Sequence, residues 1–258
     1  MKTLRLSAHS AALNSLTEAY FWANGYQIEY APCTQNPLHE ADVWLVPLSQ
    51  LSTELSTYPK NYTIAAALPR FAPEYHLFIQ KTKYIAENML GLPLNAVVKV
   101  ENALAAAHIL DYSSNYSLIY DENTEYDAFL GNIFDTPRFD AADFVIRTLN
   151  TAEAPPEAGQ GVAVLVCKSE DILLQLELRG LHHAPTAACS NVERRALQLL
   201  GYNEYNEIFG AYCRADADHN FHVNFALATD AGLQTARLAH TGRSALAEAV
   251  VKKTLSFL

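Results

Sequence analysis

The chain has little cysteine, little glycine, little positive charge and no long apolar run, and each shortage excludes something. Four cysteines in 258 residues, Cys33, Cys167, Cys189 and Cys213, show neither C-x-x-C spacing nor a disulfide-framework pattern, so no zinc ribbon or stapled secreted scaffold is expected. The ten glycines include no dinucleotide fingerprint, no Walker loop and no G-x-S-x-G elbow. Eighteen Lys and Arg against 28 Asp and Glu give a formal charge of −10, which repels phosphate backbones and anionic bilayers unless cations cluster. The tightest basic pairs, Arg194/Arg195 and Lys252/Lys253, read as solvated helix surface, so neither nucleic acid nor membrane is an expected partner. No apolar run reaches the ~18 residues of a membrane span, and Met1 to Ser10 has no apolar signal core. A soluble, reduced, cytoplasmic protein is expected.

What is present is globular material: 50% apolar, 18% charged and 10% aromatic. A chain this long buries roughly 70–75% of its unfolded surface, enough for a core without a metal or disulfide staple. The first half alternates apolar runs with helical patterns, the signature of βαβ units around a largely parallel sheet. Strands are expected at Leu4 to Leu6, Gln27 to Ala31, Asp42 to Pro47, Thr63 to Leu68 and His76 to Gln80. Ser10 to Ala23 reads as a helix through Leu13, Leu16, Tyr20 and Trp22/Ala23, stopped by Asn24-Gly25.

The pattern then restarts, with a short helix at Ala86 to Leu90, a strand at Ala96 to Val100, an Ala-rich helix at Asn102 to Leu110, and strands at Ser117 to Tyr120 and Ala142 to Ile146. The Pro- and Gly-rich Ala152 to Gly161 marks a crossing between lobes, followed by a strand at Val162 to Cys167. Two helices (Asp171 to Leu178, Thr186 to Leu200), three strands (Ile208 to Cys213, Phe221 to Ala228, Leu233 to His240) and a helix (Ser244 to Phe257) complete an α+β module. The expected domains are residues 1–80 with 153–172 as a first lobe, 81–152 as a shortened second lobe, and 173–258 as the C-terminal domain.

Candidate motifs mostly reduce to structure. Asp216 to Asn220 alternates oxygen donors like a calcium loop, but Phe221 stands at the sixth position and Leu227 at the twelfth, where the glycine and bidentate glutamate belong; a hairpin turn is expected. His182/His183 and His219/His222 lack companion ligands, so no metal site is expected. Gly159-Gln160-Gly161 leads into a strand instead of opening a helix, which argues for a tight backbone crossing and against a phosphate cradle.

Several stretches together carry a resemblance. Pro156 to Cys167, PEAGQGVAVLVC, is similar to the P-A-x-G-Q-G-A-x-x-I-E-C stretch of the porphobilinogen deaminase (hydroxymethylbilane synthase) family. Ala41 to Leu55 is similar to that family's A-D-I-A-V-H-S-L-K-D-V-P-T-E-L, and Ile64 to Pro73 to its I-A-A-V-L-P-R-E-D-P. Gly131-Asn132 with Asp135-Thr136 resembles G-N-V-D-T-R, His182 to Leu200 resembles H-x-x-T-x-x-x-V-x-A-E-R-x-x-L-x-x-L, and Gly210-Ala211-Tyr212 resembles its G-A-Y strand. The order is kept along nearly the whole chain. The resemblance implies an α/β fold of two periplasmic-binding-protein-like lobes facing across a cleft, with a small C-terminal α+β domain. It also implies a protein of tetrapyrrole and haem biosynthesis, in which porphobilinogen units are joined on a dipyrromethane cofactor held by a cysteine thioether.

The sequence departs from that family where its chemistry sits. The cofactor cysteine falls on Tyr205 or Glu204. Ser49 and Gln50 replace the lysine and aspartate of S-L-K-D. His9-Ser10-Ala11-Ala12-Leu13 replaces R-K-S-P-L, and ENALAAA from Glu101 to Ala107 lacks the two arginines of S-S-x-R-R. Of the arginines expected after Gly131-Asn132 only Arg138 remains. Cys189 and Cys213 lie away from the anchoring loop and read as structural thiols. No catalytic residue and no dipyrromethane cofactor are therefore expected. A small-molecule ligand is expected between Ser49 and Gln50 on one lobe, Asn132 and Arg138 on the other, and Gln160 at the crossing. Two functions follow: a porphobilinogen deaminase-like protein with its family catalysis impaired, or an inactive two-lobed binding or scaffold protein.

Overall fold

The computed structural model describes residues 2–8, 11–31, 41–54, 61–121, 123–132 and 139–258. The chain divides into one unit of Met1–Phe71 with Gly159–Asn191 and another of Ala72–Ala158 with Val192–Leu258. In chain order the first unit begins with β1 (Lys2–Ala8), α1 (Ala11–Ala23), β2 (Tyr26–Ala31), β3 (Val43–Pro47), α2 (Leu48–Glu54) and β4 (Tyr62–Ala67). The second unit takes β5 (His76–Gln80), β6 (Val97–Val100), α3 (Ala103–Tyr112), β7 (Ser117–Ile119), β8 (Ala128–Gly131) and β9 (Phe144–Thr148). The chain then returns as β10 (Ala163–Lys168), α4 (Ile172–Leu178) and α5 (Ala184–Leu200), the division falling within α5. The turn α6 (Tyr202–Tyr205), strands β11 (Phe209–Ala215), β12 (Phe221–Thr229) and β13 (Gly232–His240), and helix α7 (Arg243–Thr254) complete the second unit.

Two five-stranded sheets share one plan. The first has the order β2-β1-β3-β10-β4 and the second β7-β6-β8-β5-β9. In each, three strands run parallel, a fourth runs antiparallel to both neighbours, and the fifth follows the first three. The reversed strand is the first one the chain forms after changing unit: β5 on leaving, β10 on returning. The sheets are thus mixed instead of largely parallel, because the crossing chain enters against the βα progression. The α/β class with an added antiparallel β11-β12-β13 sheet is as expected from the sequence.

Local chemistry explains most boundaries. Gly25, at φ +82°, stops α1, and its carbonyl accepts from Lys2 N at 3.0 Å. The helix buries Leu13, Thr17 and Phe21 completely and exposes Trp22, so the inward stripe is turned from the one expected. Thr17 fits inside because its hydroxyl donates to the Leu13 carbonyl at 2.8 Å. Asn102 caps α3 by accepting from Ala105 N at 2.8 Å, and Asp171 caps α4 by accepting from Leu174 N at 3.0 Å.

Three expectations are corrected. His76–Gln80, read with the first five strands, pairs with β8 and β9 in the other sheet; a short apolar strand carries no mark of which sheet it joins. Ala86 to Leu90 is not an α-helix but turns ending in a 3-10 segment, Met89–Gly91, in which Leu90 and Gly91 have positive φ. Four-residue β8, AFLG, has no alternation to reveal it. At β9 the expected strand starts two residues early, because Ala142 N and Asp143 N both donate to Asp140 in a turn.

In the second unit, Leu77, Ile79, Val98, Val100, Ala128 and Leu130 pack beneath Ala105, Ala106 and Ile109 of α3. Each fully buried Leu or Ile contributes about 1.5–3 kcal/mol. On the sheet's opposite face Phe139 stacks on Phe78 and Phe129 at centroid distances of 4.3 and 5.3 Å. The C-terminal sheet is joined at Gly210, where a Cβ would lie 2.4 Å from the Pro155 carbonyl oxygen and 2.9 Å from Leu104 Cδ2. Neither backbone nor core can yield, so Gly210→Ala should cost about 1–3 kcal/mol, a fall in melting temperature of roughly 2–10 °C. Gly180→Ala, whose Cβ would meet nothing within 4 Å, is the control and should change melting little; equal effects would refute the close-approach argument.

Candidate functional site

In the first unit the sequence-nominated residues gather at the start of α2. Leu48 N donates to the Val162 carbonyl at 2.8 Å, and Val162 N donates to the Gly159 carbonyl at 3.1 Å. Gly159–Val162 is therefore a closed turn, with left-handed Gly161 (φ +74°) at its third position. Gly159 is also left-handed, and its Cβ would lie 3.0 Å from Leu48 Cγ. The G-Q-G sequence is thus a turn pressed on the first residue of α2, as its place ahead of a strand suggested. Gln160 is buried, Ser49 half-buried and Gln50 exposed. In the second unit Asn132 is half-buried just after β8, whose last residue pairs with His76. Arg138 lies outside the described residues.

The start of α3, where the resemblance implies two arginines, is built differently. The residues in the arginine places are Leu104 and Ala105, both fully buried. Three groups of this chain occupy the helix terminus. Leu104 N donates to the Glu207 carbonyl at 2.8 Å, Ala105 N donates to Asn102 Oδ1 at 2.8 Å, and Asn102 Nδ2 donates to Glu157 Oε1. Helix N-termini attract carboxylates, and here Glu157 supplies one from within. Glu157 stands where the similar stretch of the family has alanine, a difference with no local signal of its role. Its backbone bridges Gly210, while the Pro156 carbonyl accepts from Ala211 N at 2.8 Å.

Behind this cap lie two buried titratable side chains. Burial, then the carboxylates of Glu157 and Glu101, hold the Tyr75 hydroxyl well above its ordinary range. His108 sits 5.7 Å from Tyr75, ring centre to ring centre. Its Nε2 lies 3.0 Å from the Pro155 carbonyl, so that nitrogen carries the proton. Burial lowers His108 to about 4, against opposing pulls from the Pro155 carbonyl and Asp111. The ring is a neutral wedge between α3 and the crossing.

The places implied for the cofactor do not fit it. Tyr205 and Glu204 belong to α6, a helical turn closed by Glu204 N and Tyr205 N to the Gly201 carbonyl at 3.1 and 3.2 Å. Cys167, Cys189 and Cys213 are buried, and burial followed by Asp171 pushes the Cys167 thiol up to about 11. A thioether to a two-pyrrole group needs a thiol that opens on space; Cys33 lies outside the described residues. Among those residues no group of three His, Cys, Asp or Glu is placed to hold a metal ion.

Other nominated motifs act structurally. His182 Nδ1 accepts from Ala67 N at 3.2 Å, His183 N donates to the Ala67 carbonyl at 2.8 Å, and Thr186 Oγ1 accepts from Arg70 N at 3.0 Å. The H-H-A-P-T stretch thus clamps the A-A-A-L-P-R exit of β4. Glu193, fully buried in α5, accepts from Cys213 N at 2.7 Å and anchors β11. Asp216 accepts from Asp218 N, Asn220 N and His222 Nε2 at 3.0, 2.8 and 2.8 Å, so the supposed calcium donor is consumed by its own hairpin.

No protein-family model matches the chain. It is 24% identical over 171 residues to the porphobilinogen deaminase of Legionella pneumophila strain Paris, taking in 62% of this chain and 54% of that protein. The strain Lens protein matches at 24% over 172 residues with the same coverage. The chain thus spans about half the length of the curated relatives it matches. Among solved structures, the Candida albicans CA3427 gene product, described as having the generic periplasmic binding protein fold, aligns at 12% identity and TM-score 0.37, covering 79% of this chain and 72% of that one. The GluR0 ligand-binding core in complex with L-glutamate aligns at 12% identity, TM-score 0.35 and coverages of 70% and 91%. A mutant ArgBP from T. maritima aligns at 10% identity, TM-score 0.34 and coverages of 78% and 92%.

The buried His108 predicts an acid-sensitive second unit. An unfolded histidine titrates near 6.5 and the folded one near 4, so the stability it protects is complete above pH 6.5 and drains away as pH falls toward 4. The slope is about 1.4 kcal/mol per pH unit while only the unfolded form is charged. Asp216, held down to about 2 first by His222, loses its contribution at lower pH, from about 3.8 toward 2. His108→Gln keeps a donor for Pro155 but cannot titrate. Its melting temperature should therefore fall less between pH 7 and pH 4.5 than the parent's, by roughly 5 °C; identical falls would refute the assignment.

Proposed function

We propose that this chain is a porphobilinogen deaminase-like protein that has given up covalent chain-building, and that it binds a small, weakly charged molecule without a dipyrromethane cofactor. The observation that carries the reading is the start of α3. Its family arginine places hold Leu104 and Ala105, fully buried, and the Glu157 carboxylate accepts from the side chain of its cap, Asn102. A polycarboxylate pyrrole chain needs cations, because each charged hydrogen bond contributes about 1.5–3 kcal/mol. At α3 it would meet an internal carboxylate, in a chain of net charge −10. Ser49 and Gln50, in place of lysine and aspartate, point the same way, since a site with two neutral hydrogen-bonding groups favours a neutral or weakly charged ligand. Within the first unit, Ser49, Gln50 and Gln160 are the residues proposed for that ligand. A tetrapyrrole-pathway role rests on the distant similarity to the Legionella proteins.

The deciding experiment is the intact mass of protein purified from a host that makes porphobilinogen, followed by incubation with porphobilinogen. The expected result is the bare polypeptide mass and no colour from the purified protein in acidic aldehyde reagent before porphobilinogen is added, and no release of ammonia after it. A covalent dipyrrole adduct with turnover would overturn the proposal and restore the enzyme.

A further inference from the structure

Apart from the cofactor question, the second unit contains a cavity of about 540 Å³ between α3 and the β12–β13 hairpin. It exists because the α3 face that borders it is small: Ala103, Ala106 and Ala107 leave space that only Leu110, one turn on, begins to fill. The opposite wall is Ala228 and Leu233, flanking the hairpin turn. Both walls are fixed by backbone bonds on either side of one peptide. Leu104 N donates to the Glu207 carbonyl at 2.8 Å, and Ala228 N donates to the Ile208 carbonyl at 2.9 Å. Ile208 itself lines the cavity, so the space is held open by the main chain at its base.

The rim gives the cavity its chemistry. Asp111 at the end of α3 and Asp230 in the hairpin turn are exposed. The turn that presents Asp230 is closed by Thr229 Oγ1 donating to the Gly232 carbonyl at 2.8 Å. Tyr120 lines the same cavity with 56% of its surface exposed. Among the described residues, the lining includes no Lys, Arg or His. A volume within the roughly 300–1,000 Å³ of ligand pockets, apolar walls, two carboxylates and an open aromatic face define one complementary class. An anion is repelled by the rim, a neutral apolar molecule leaves the carboxylates unused, and an ammonium satisfies them while its apolar body fills the alanine face.

We propose that this cavity binds a small amphipathic amine, its ammonium held between Asp111 and Asp230 and its apolar part against Ala106, Ala107 and Leu233. The test compares 2-phenylethylamine with its neutral and anionic counterparts, 2-phenylethanol and phenylacetate, by calorimetry on the full chain. The amine should bind at least fivefold more tightly than the alcohol, and phenylacetate more weakly than either. Asp111→Asn with Asp230→Asn should reduce the amine to the alcohol's affinity, and Ala107→Leu should weaken amine and alcohol together. Equal binding of amine and alcohol, an amine affinity unchanged in the double Asn variant, or no binding of any probe at 10 mM would overturn it. Should Ala107→Leu fail to fold, the double Asn variant, which alters only exposed carboxylates, still decides. No outcome depends on the α2 residues or on porphobilinogen, so this proposal and the preceding one fail separately.

Discussion

The constraint on which the second unit turns is the approach of the Pro155–Pro156 backbone to Gly210, where a single Cβ would meet the Pro155 oxygen at 2.4 Å. Everything around the α3 terminus follows from it. The Pro155 carbonyl faces His108, the Pro156 carbonyl takes Ala211 N, and the next residue, Glu157, is delivered to the α3 cap. Prolines suit such a stretch, because they have no N–H to satisfy once buried. Three residues later the same strand makes the Gly159–Val162 turn that pairs with α2. One short run thus fixes the cap of one helix and the start of another, each within its own unit.

That economy explains which parts of the resemblance survive. The matching stretches are the ones whose backbone is committed: β3 into α2, the exit of β4, the crossing into β10, the H-H-A-P-T clamp and the G-A-Y strand. In each a hydrogen bond or close approach depends on the particular residue, as with Thr186 at Arg70 N or Glu193 at Cys213 N. At the places where the resemblance implies arginines, α3 carries Leu104 and Ala105 into the core, where apolar packing stabilises the unit and a guanidinium would be costly to bury.

Much of this was legible in the sequence, and what was not has physical reasons. Asn24-Gly25, the Asn102 and Asp171 caps and the hairpin at Asp216–Asn220 carry local signals strong enough to place elements within a residue or two. The sheet to which β5 belongs is decided by a long-range pairing that leaves no local trace, since HLFIQ is apolar enough for either sheet. The α1 stripe differs from its apolar pattern because Thr17, polar by composition, is buried by bonding its own helix. Gln160 was found through its glycines, and its turn geometry follows from them. Glu157 was missed because a glutamate beside prolines looks like surface; only the fold brings Asn102, 55 residues away in sequence, to its carboxylate.

The charge balance connects these local facts to function. A pocket for pyrrole carboxylates must hold cations against solvation, a demand that grows with each acid group bound. Here the described neighbourhood of α3 does the reverse: burial first, and then the carboxylates of Glu157 and Glu101, hold the Tyr75 hydroxyl above its ordinary range. Carboxylates that disfavour a charge on a buried neighbour also disfavour an anion brought close. The potential that disfavours a polycarboxylate at the α3 start favours a cation at the far end of the same helix, where Asp111 stands on the cavity rim and the helix dipole adds its negative end. One helix with acid groups near both termini therefore bears on both proposals in opposite ways: its start disfavours a polycarboxylate, and its end favours a positive charge.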